Sequence, residues 1–241
     1  QQFQLHYQPQ FTLADQRLIG FEALSRWSHP TEGLLGPERF LGTLEQSGLI
    51  IEHGHWTVAE AIAQGAWLRN SEPGKAYRMA INLSVRQLLD PALIDTLAAS
   101  LDRHRFPASL LTIEIHESFL SQQLEAANRV LWQLRRLGVT IAIDDFGTGY
   151  SSLHLLKELP IDSVKIDRRF IQGIPNREED VAITEAVIVM AHRLGLTVAA
   201  EGVESVQQLR FLLDQGCDLA QGHLFGAAIA GEQLPALIQE L

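Results

Sequence analysis

The sequence predicts an α/β fold: a closed (β/α)8 barrel whose first strand runs antiparallel to the second. Three observations predict it. Eight short β-branched or apolar runs alternate with helix-length amphipathic segments over 241 residues. The first two runs are joined by residues 12–17 alone, too short for a helix, with Ala14-Asp15 as a turn signal. No low-complexity or Pro/Gly/Ser-rich linker divides the chain, so residues 1–241 read as one domain.

In chain order, the first strand is expected at 3–7 and the second at 18–26. The third follows at 77–83 and leads into a helical pattern at 91–104; the fourth, at 111–116, leads into one at 122–137. The fifth strand, 140–144, precedes a helical segment at 151–158, and the sixth is expected at 163–166. In 180–194, Ile183, Val187, Met190, Ala191 and Leu194 recur at helical spacing, with Gly195 as the stop signal. A seventh strand at 197–201, a helix at 206–215 and an eighth strand at 219–224 complete the alternation. Trp56, Trp67 and Trp132 fall within helical patterns and read as core.

Composition narrows the function. Nineteen basic against twenty-nine acidic residues give a formal charge of -10, which argues against a nucleic-acid polymer or an anionic membrane as partner. A small phosphate-bearing ligand stays open, because a metal ion can reverse the local sign. Cys217 is the one cysteine and cannot form an internal disulfide, which suits a reducing compartment, and the apolar stretches are too short or interrupted to span a bilayer. The chain begins Gln1-Gln2, and the expectation is a domain excised from a longer multidomain protein.

The most informative junction is Asp144-Asp145, between the apolar run Val139-Thr140-Ile141-Ala142-Ile143 and Phe146-Gly147-Thr148-Gly149-Tyr150. Adjacent like charges at a buried strand end repel and lose hydration, so either a divalent cation compensates them or the pair is a solvated turn. The other strand ends bear on that choice. Glu22 lies in the second strand candidate, Asn82 ends the third, and Glu114 lies late in the fourth. Lys165 and Asp167 end the sixth, Glu201 the seventh, and Gln221 lies late in the eighth. Two positions before several of them stands a small residue: Ala80, Thr112, Ala142 and Ala199. One face of these strands is therefore narrow and then ends in an oxygen ligand. A single such residue is more often a cap, a turn residue or a surface ion pair. Jointly, converging carboxylates and an amide call for a shared cation, and all-oxygen ligands favour Mg²⁺ or Mn²⁺ over zinc. Five carboxylates could hold two ions with one aspartate bridging, an arrangement suited to in-line displacement at phosphorus.

Glu22-Ala23-Leu24-Ser25-Arg26-Trp27 resembles the signature of the EAL domains, cyclic-di-GMP-specific phosphodiesterases. The resemblance continues through Tyr7-Gln8-Pro9, His29-Pro30, Ile81-Asn82-Leu83-Ser84 and Glu114-Ile115-His116-Glu117-Ser118. It extends over residues 144–152, Val164-Lys165-Ile166-Asp167, Ala200-Glu201-Gly202-Val203-Glu204 and Gln221-Gly222, and so covers nearly the whole chain. It implies a modified (β/α)8 TIM-like barrel and hydrolysis of one 3′–5′ bond of cyclic-di-GMP to linear pGpG, with two Mg²⁺ or Mn²⁺ ions as cofactors. By position, it implies that Glu22, Asn82, Glu114 and Asp144 bind one ion, and that Asp144, Asp145 and Glu201 bind the second with Asp167 close by. Lys165 would position the attacking water, Gln221 would stand at the same mouth, and Gln8, Leu24 and Arg26 would contact the ligand. Glu117 would steady the loop after Asp145, and the segment from Phe146 to Ser152 with the following helix would take part in a homodimer. A bacterial cytoplasmic setting, within a parent protein that can be membrane-anchored, is implied as well.

The chain departs from the family pattern at His116, commonly threonine, at His223, usually aromatic, and at Ala227-Ala228, usually a basic residue and proline. None of these matches a metal ligand, so loss of catalysis is not implied. His223 could stack on a base or fill the barrel rim, the second being favoured, and the other histidines, His53 and His55 included, read as structural. Two further function classes compete. A cyclic-di-GMP receptor that has lost catalysis would usually show substitutions at the ligand positions, which are intact here. A glycoside hydrolase with paired carboxylates would leave Lys165, Asn82 and the double aspartate unexplained.

Overall fold

β-Strand β1 (Phe3–Thr12) turns back through residues 13–17 into β2 (Leu18–His29), and the two pair antiparallel along most of their length. A short β3 (Gly33–Leu35) folds onto the end of β2. From there β2 pairs in parallel with β4 (Arg78–Asn82), and parallel pairing continues through β5 (Leu111–His116), β6 (Thr140–Phe146), β7 (Ser163–Ile166), β8 (Thr197–Ala200) and β9 (Leu219–Ala220). The circuit closes where Phe11 and Thr12 of β1 pair antiparallel with Ala220 and Leu219 of β9. The antiparallel first strand expected from the short 12–17 connection is therefore what closes the eight-strand barrel. Outside the circuit, β10 (Ile229–Ala230) adds to β1. This computed structural model describes residues 2–72, 74–120, 123–147, 156 and 158–240, the side chains of 119 and 120 excepted.

Helices cover the outside: α1 (Leu41–Ser47), α2 (Ile50–Ser71), α3 (Val85–Leu88), α4 (Leu93–His104), α5 (Glu117–Leu120), α6 (Leu124–Leu137), α7 (Arg168–Ile171), α8 (Glu178–Arg193), α9 (Val206–Asp214) and α10 (Leu234–Glu240). Ile113, Ile141, Val164 and Val198 join one buried core with Leu131 and Leu134 of α6, Ile188 of α8 and Leu212 of α9. The alternate positions of the same strands carry Thr112, Ala142 and Ala199, which line a narrow cavity of about 70 Å³ inside the barrel. The small residues expected beneath the polar strand ends thus face inward, as the period of two requires. Among the described residues, no helix is long and apolar enough to cross a membrane.

Several expectations shift. β1 runs five residues further than 3–7, and the last barrel strand is only Leu219–Ala220 rather than 219–224. Helix α8 stops at Arg193, and Gly195, with φ 75°, takes the left-handed turn expected of a stop residue. The helix expected at 151–158 lies outside the described residues apart from 156 and 158, as does the part of the expected dimer segment from 148 to 152. Trp67 and Trp132 are not core: they are 45% and 50% exposed, whereas Trp56 is partly buried against it. Both lie on helices, but on sides turned away from the barrel. The helical patterns around Trp56 and Trp67 prove to be one 22-residue helix, α2, whose bounds the sequence reading left open. Its buried side recurs at helical spacing and mixes Ile50, Val58, Ile62 and Leu68 with His53, Gly54, Thr57, Ala61, Gly65 and Ala66, so small and polar residues interrupt the apolar stripe.

The β2–β4 pair depends on close approach at Gly20, where an added Cβ would sit 2.4 Å from the carbonyl oxygen of Arg78. We expect Gly20→Ala to destabilise the fold by about 1–3 kcal/mol. Urea unfolding measures this, and a loss below about 0.5 kcal/mol would show that the two strands can spread freely.

Candidate active site

Carboxylates converge at the carboxyl ends of the parallel strands. Lys165 of β7 is 2% exposed, and its Nζ lies 2.6 Å from Glu114 Oε2, 2.5 Å from Glu201 Oε1, 3.2 Å from Glu22 Oε2 and 3.5 Å from Asp144 Oδ1. Pairing in the sheet accounts for the convergence. Asn82 lies opposite Glu114, Glu114 opposite Ala142, and Lys165 opposite Ala199, so side chains of one layer meet across the barrel axis.

The double aspartate is where the ladder breaks. Ile143 pairs with Val164 and Phe146 with Ile166, so Asp144 and Asp145 together stand against Lys165. This is a β-bulge, with one extra residue on β6, and Asp145 has φ 53°. A non-glycine residue in that conformation is uncommon and costs of order 1–3 kcal/mol, which the surrounding fold must offset. The bulge overrides strand alternation and keeps both carboxylates at the mouth. Asp144 reaches Lys165, while Asp145 Oδ2 lies 2.7 Å from His116 Nδ1. The backbone N–H of Asp145 donates to Asp144 Oδ1 at 2.9 Å.

An amide relay holds one side of the cluster. Gln10 donates to Gln221 Oε1 at 3.0 Å, and Gln221 Nε2 donates to Glu22 Oε2 at 2.6 Å and to Gln8 Oε1 at 2.9 Å. Asn82 Nδ2 donates to Glu22 Oε1 at 2.5 Å. Burial works against an ionised Glu22, but Lys165 and the donors Gln221 and Asn82 outweigh it and hold its carboxyl below the usual range. Its neighbours lack that support. Burial, with neighbouring carboxylates, raises Glu114 well above the ordinary value, raises Asp144, and pushes Glu201 up to about 8. Burial also opposes the charge of Lys165, yet the carboxylates prevail and its pKa stands well above that of a free lysine. The hydrogen bond between them raises His116 and lowers Asp145.

Glu22, Glu114, Asp144, Glu201 and Lys165 thus form one cluster, with Asn82, Gln221 and Gln8 attached through amides. Asp145 stands beside it with His116. Asp167 caps α7: its Oδ1 accepts from the Arg169 backbone N–H at 2.6 Å, and its two oxygens also take Arg169 Nε and Nη2. Glu117 Oε2 accepts the Gly147 N–H at 2.9 Å, which ties it to the loop after the double aspartate. Arg26 is half-buried, and its Nη1 donates to Ser25 O. Leu24 lies between two cavities that meet at Glu22 and Asp144. One, about 370 Å³, extends toward Leu41 and His53; the other, about 220 Å³, extends toward Arg168, Glu204 and His223.

Sequence reasoning missed three participants. Gln10 belongs to the strand beyond the expected end at residue 7. Arg168 follows Asp167 and lines the mouth because α7 starts there. His116, set aside as no ligand, offers one of three ligand atoms lying within 4.8 Å of one another, the others on Asp144 and Asp145. The reading of His223 as rim filler is corrected: its side chain is 73% exposed, with Nδ1 3.9 Å from Glu204 Oε1. His53 packs against Phe3, Phe40 and Trp56 and also lines the larger cavity, and His55 Nε2 meets Asp90 Oδ2 at 2.5 Å.

Comparison with known proteins gives the family. A cyclic di-GMP phosphodiesterase of Pseudomonas aeruginosa, NbdA, is 43% identical over 224 residues, which is 93% of this chain and 28% of NbdA. The bifunctional diguanylate cyclase/cyclic di-GMP phosphodiesterase MucR of the same organism is 41% identical over 238 residues, 98% of this chain and 34% of MucR. The chain therefore spans about a third of the length of these curated relatives. The solved structure of the MucR phosphodiesterase in complex with c-di-GMP superposes with a TM-score of 0.92 at 41% identity, covering 97% of this chain and 94% of that one. The family model described as EAL domain matches residues 1–228, the span that carries every residue of the cluster and the strand that closes the barrel, and the chain belongs to the EAL domain family.

Proposed function

We propose that this chain hydrolyses one phosphodiester bond of cyclic-di-GMP to linear pGpG, with two divalent cations, Mg²⁺ or Mn²⁺, at the barrel mouth. The observation that carries the reading is the convergence of Glu22, Glu114, Asp144 and Glu201 on one buried ammonium, Lys165, in a chain that belongs to the EAL domain family.

The residues fit such cations. Four carboxylates against one ammonium leave a formal charge of -3 when all are ionised. Even at an effective dielectric of 20, each pair of like charges 4 Å apart costs about 4 kcal/mol. Protons or metal ions must supply the balance. Asn82 Oδ1 is buried without a hydrogen-bond partner among the described residues, the kind of acceptor that a hard cation takes up. Glu22, Asn82, Glu114 and Asp144 would hold one ion, and Asp144, Asp145 and Glu201 the other, with Asp167 beside it. Such ions, when bound, favour ionised water at neutral pH and offset charge growing on phosphate oxygens.

The chain's own groups do the rest. Leu24, Gln8 and Arg26 hold the ligand, with the guanidinium presenting paired donors to a phosphate. The two cavities flanking Glu22 and Asp144 provide room for the two halves of a cyclic dinucleotide. Lys165, whose ammonium the surrounding carboxylates favour, would orient the attacking water as a hydrogen-bond donor. Gln221 fixes the Glu22 carboxylate, and Glu117 anchors the loop behind Asp145.

Incubation of the purified domain with cyclic-di-GMP and Mg²⁺ or Mn²⁺, followed by chromatography, should yield pGpG. Glu22→Gln should lower turnover on the order of a hundredfold or more with the fold intact. Saturable binding without pGpG would make the domain a receptor, and neither binding nor turnover would sink the proposal. Glu117→Ala, which frees the Gly147 N–H, should reduce turnover at least about tenfold while cation affinity, measured by calorimetry, stays within about threefold. Unchanged turnover would remove Glu117 from the machinery.

The raised carboxyls also set a pH dependence. A group whose folded pKa is raised contributes stability below its unfolded pKa and loses it as pH rises through the folded one. For Glu201 that window runs from the ordinary 4.5 to about 8, with Glu114 and Asp144 shifted in the same direction. In EDTA the melting temperature should therefore fall between about pH 5.5 and 8. Saturating Mg²⁺ or Mn²⁺ should abolish that fall, since cations bind the deprotonated ligands. A flat profile in EDTA would contradict the charge balance described here.

A further inference from the structure

The geometry points to His116 as a nitrogen ligand of the cation shared by Asp144 and Asp145, which gives this chain a preference for a transition metal of the Mn²⁺ class over Mg²⁺. The inference rests on the reading of the mouth as a divalent-cation site and assigns a residue that the oxygen-only set leaves out.

Strand pairing brings the three groups together. His116 ends β5 directly opposite Asp144 on β6, and the bulge then turns Asp145 back toward the imidazole. One ligand atom from each lies within 4.8 Å of the other two. His116 Nδ1 and Asp145 Oδ2 are 2.7 Å apart, so a proton or a cation has to stand between the two lone pairs. Around an ion at about 2.1 Å from its ligands, neighbouring ligand atoms lie about 3 Å apart and opposite ones about 4.2 Å. The trio thus needs little movement to close on one ion. Both side chains are 38% exposed, so an ion reaches them from the mouth without an opening of the barrel.

The chemistry of the donor then decides the metal. Mg²⁺ is a hard ion that keeps oxygen ligands and waters in strict octahedral geometry, and an imidazole nitrogen offers it little. Imidazole suits later divalent ions, whose affinity rises along the first row from Mn²⁺. A histidine at this strand end leaves the first site, of Glu22, Asn82, Glu114 and Asp144, all-oxygen and makes the second mixed. The two sites would then differ in metal preference within one barrel.

Pulsed electron paramagnetic resonance on the metal-free domain loaded with Mn²⁺ tests this directly. A coupling from a bound histidine nitrogen is expected, changing when the histidines are labelled with ¹⁵N and disappearing in His116→Ala. By calorimetry the same variant should lose on the order of tenfold or more in Mn²⁺ affinity and less than about threefold in Mg²⁺ affinity. Mn²⁺ bound without nitrogen coupling, or with coupling that survives in His116→Ala, would overturn the role of His116 and leave the cation site standing. Failure to bind either ion would overturn both. If His116→Ala does not fold, the isotope-labelled native chain decides the question alone.

Discussion

A single buried ammonium organises this molecule. Lys165 is 2% exposed, and taking a lysine out of water costs several kcal/mol unless opposite charge surrounds it. Four other strands supply that charge at the barrel mouth through Glu22, Glu114, Asp144 and Glu201. The dependence runs both ways. Without the lysine, three buried carboxylates and the partly buried Glu201 would face one another with nothing to balance them. With it, they remain in excess, and this excess makes the mouth a place where divalent cations would be bound. Pairing alone is thus a weak source of stability here, and a strong source of position.

The barrel meets this constraint with small side chains and one irregularity. Thr112, Ala142 and Ala199 line the shaft beneath the cluster, so that long acidic and basic side chains from different strands can meet near the axis. The irregularity is the bulge at Asp144-Asp145, which sets two carboxylates against one lysine on the neighbouring strand. A regular ladder would have sent Asp145 to the opposite face. The left-handed conformation of Asp145 is the local strain that this arrangement carries, and it occurs at the mouth, beside His116. Membership of the EAL family gives the arrangement a chemical context, and the amide relay from Gln10 to Gln221 to Glu22 supports the charged form of one carboxylate, whereas burial raises its neighbours Glu114, Asp144 and Glu201.

Much of this was legible residue by residue. The alternation of strands and helices, the antiparallel first strand and the polar strand ends follow from periodicity and from a connection too short to hold a helix. The extent of the longest helix was not legible, because α2 interrupts the apolar residues of its buried side with glycine, alanine, threonine and histidine. Exposure of Trp67 and Trp132 was hidden for the converse reason, since aromatic residues in an amphipathic pattern usually face inward. Gln10 escaped notice because hairpin length depends on cross-strand pairing, which residue composition reports poorly. His116 was seen but read as a mere departure, because its partner across the sheet is 29 residues away.

By itself, the sequence determined which chemical groups stand at the strand ends, that they are mostly oxygen donors, and that the strands form an α/β barrel. These are properties of residue type and of periods of two and 3.6, which act over a few positions. The tertiary structure alone decided which groups meet: that Lys165 touches four carboxylates, that Gln221 secures Glu22 across 199 residues, and that His116 joins the double aspartate. The reason is that register between strands and one bulge place these atoms to within a few ångströms. Register is set by packing of the whole barrel, not by the residues on either side of each group.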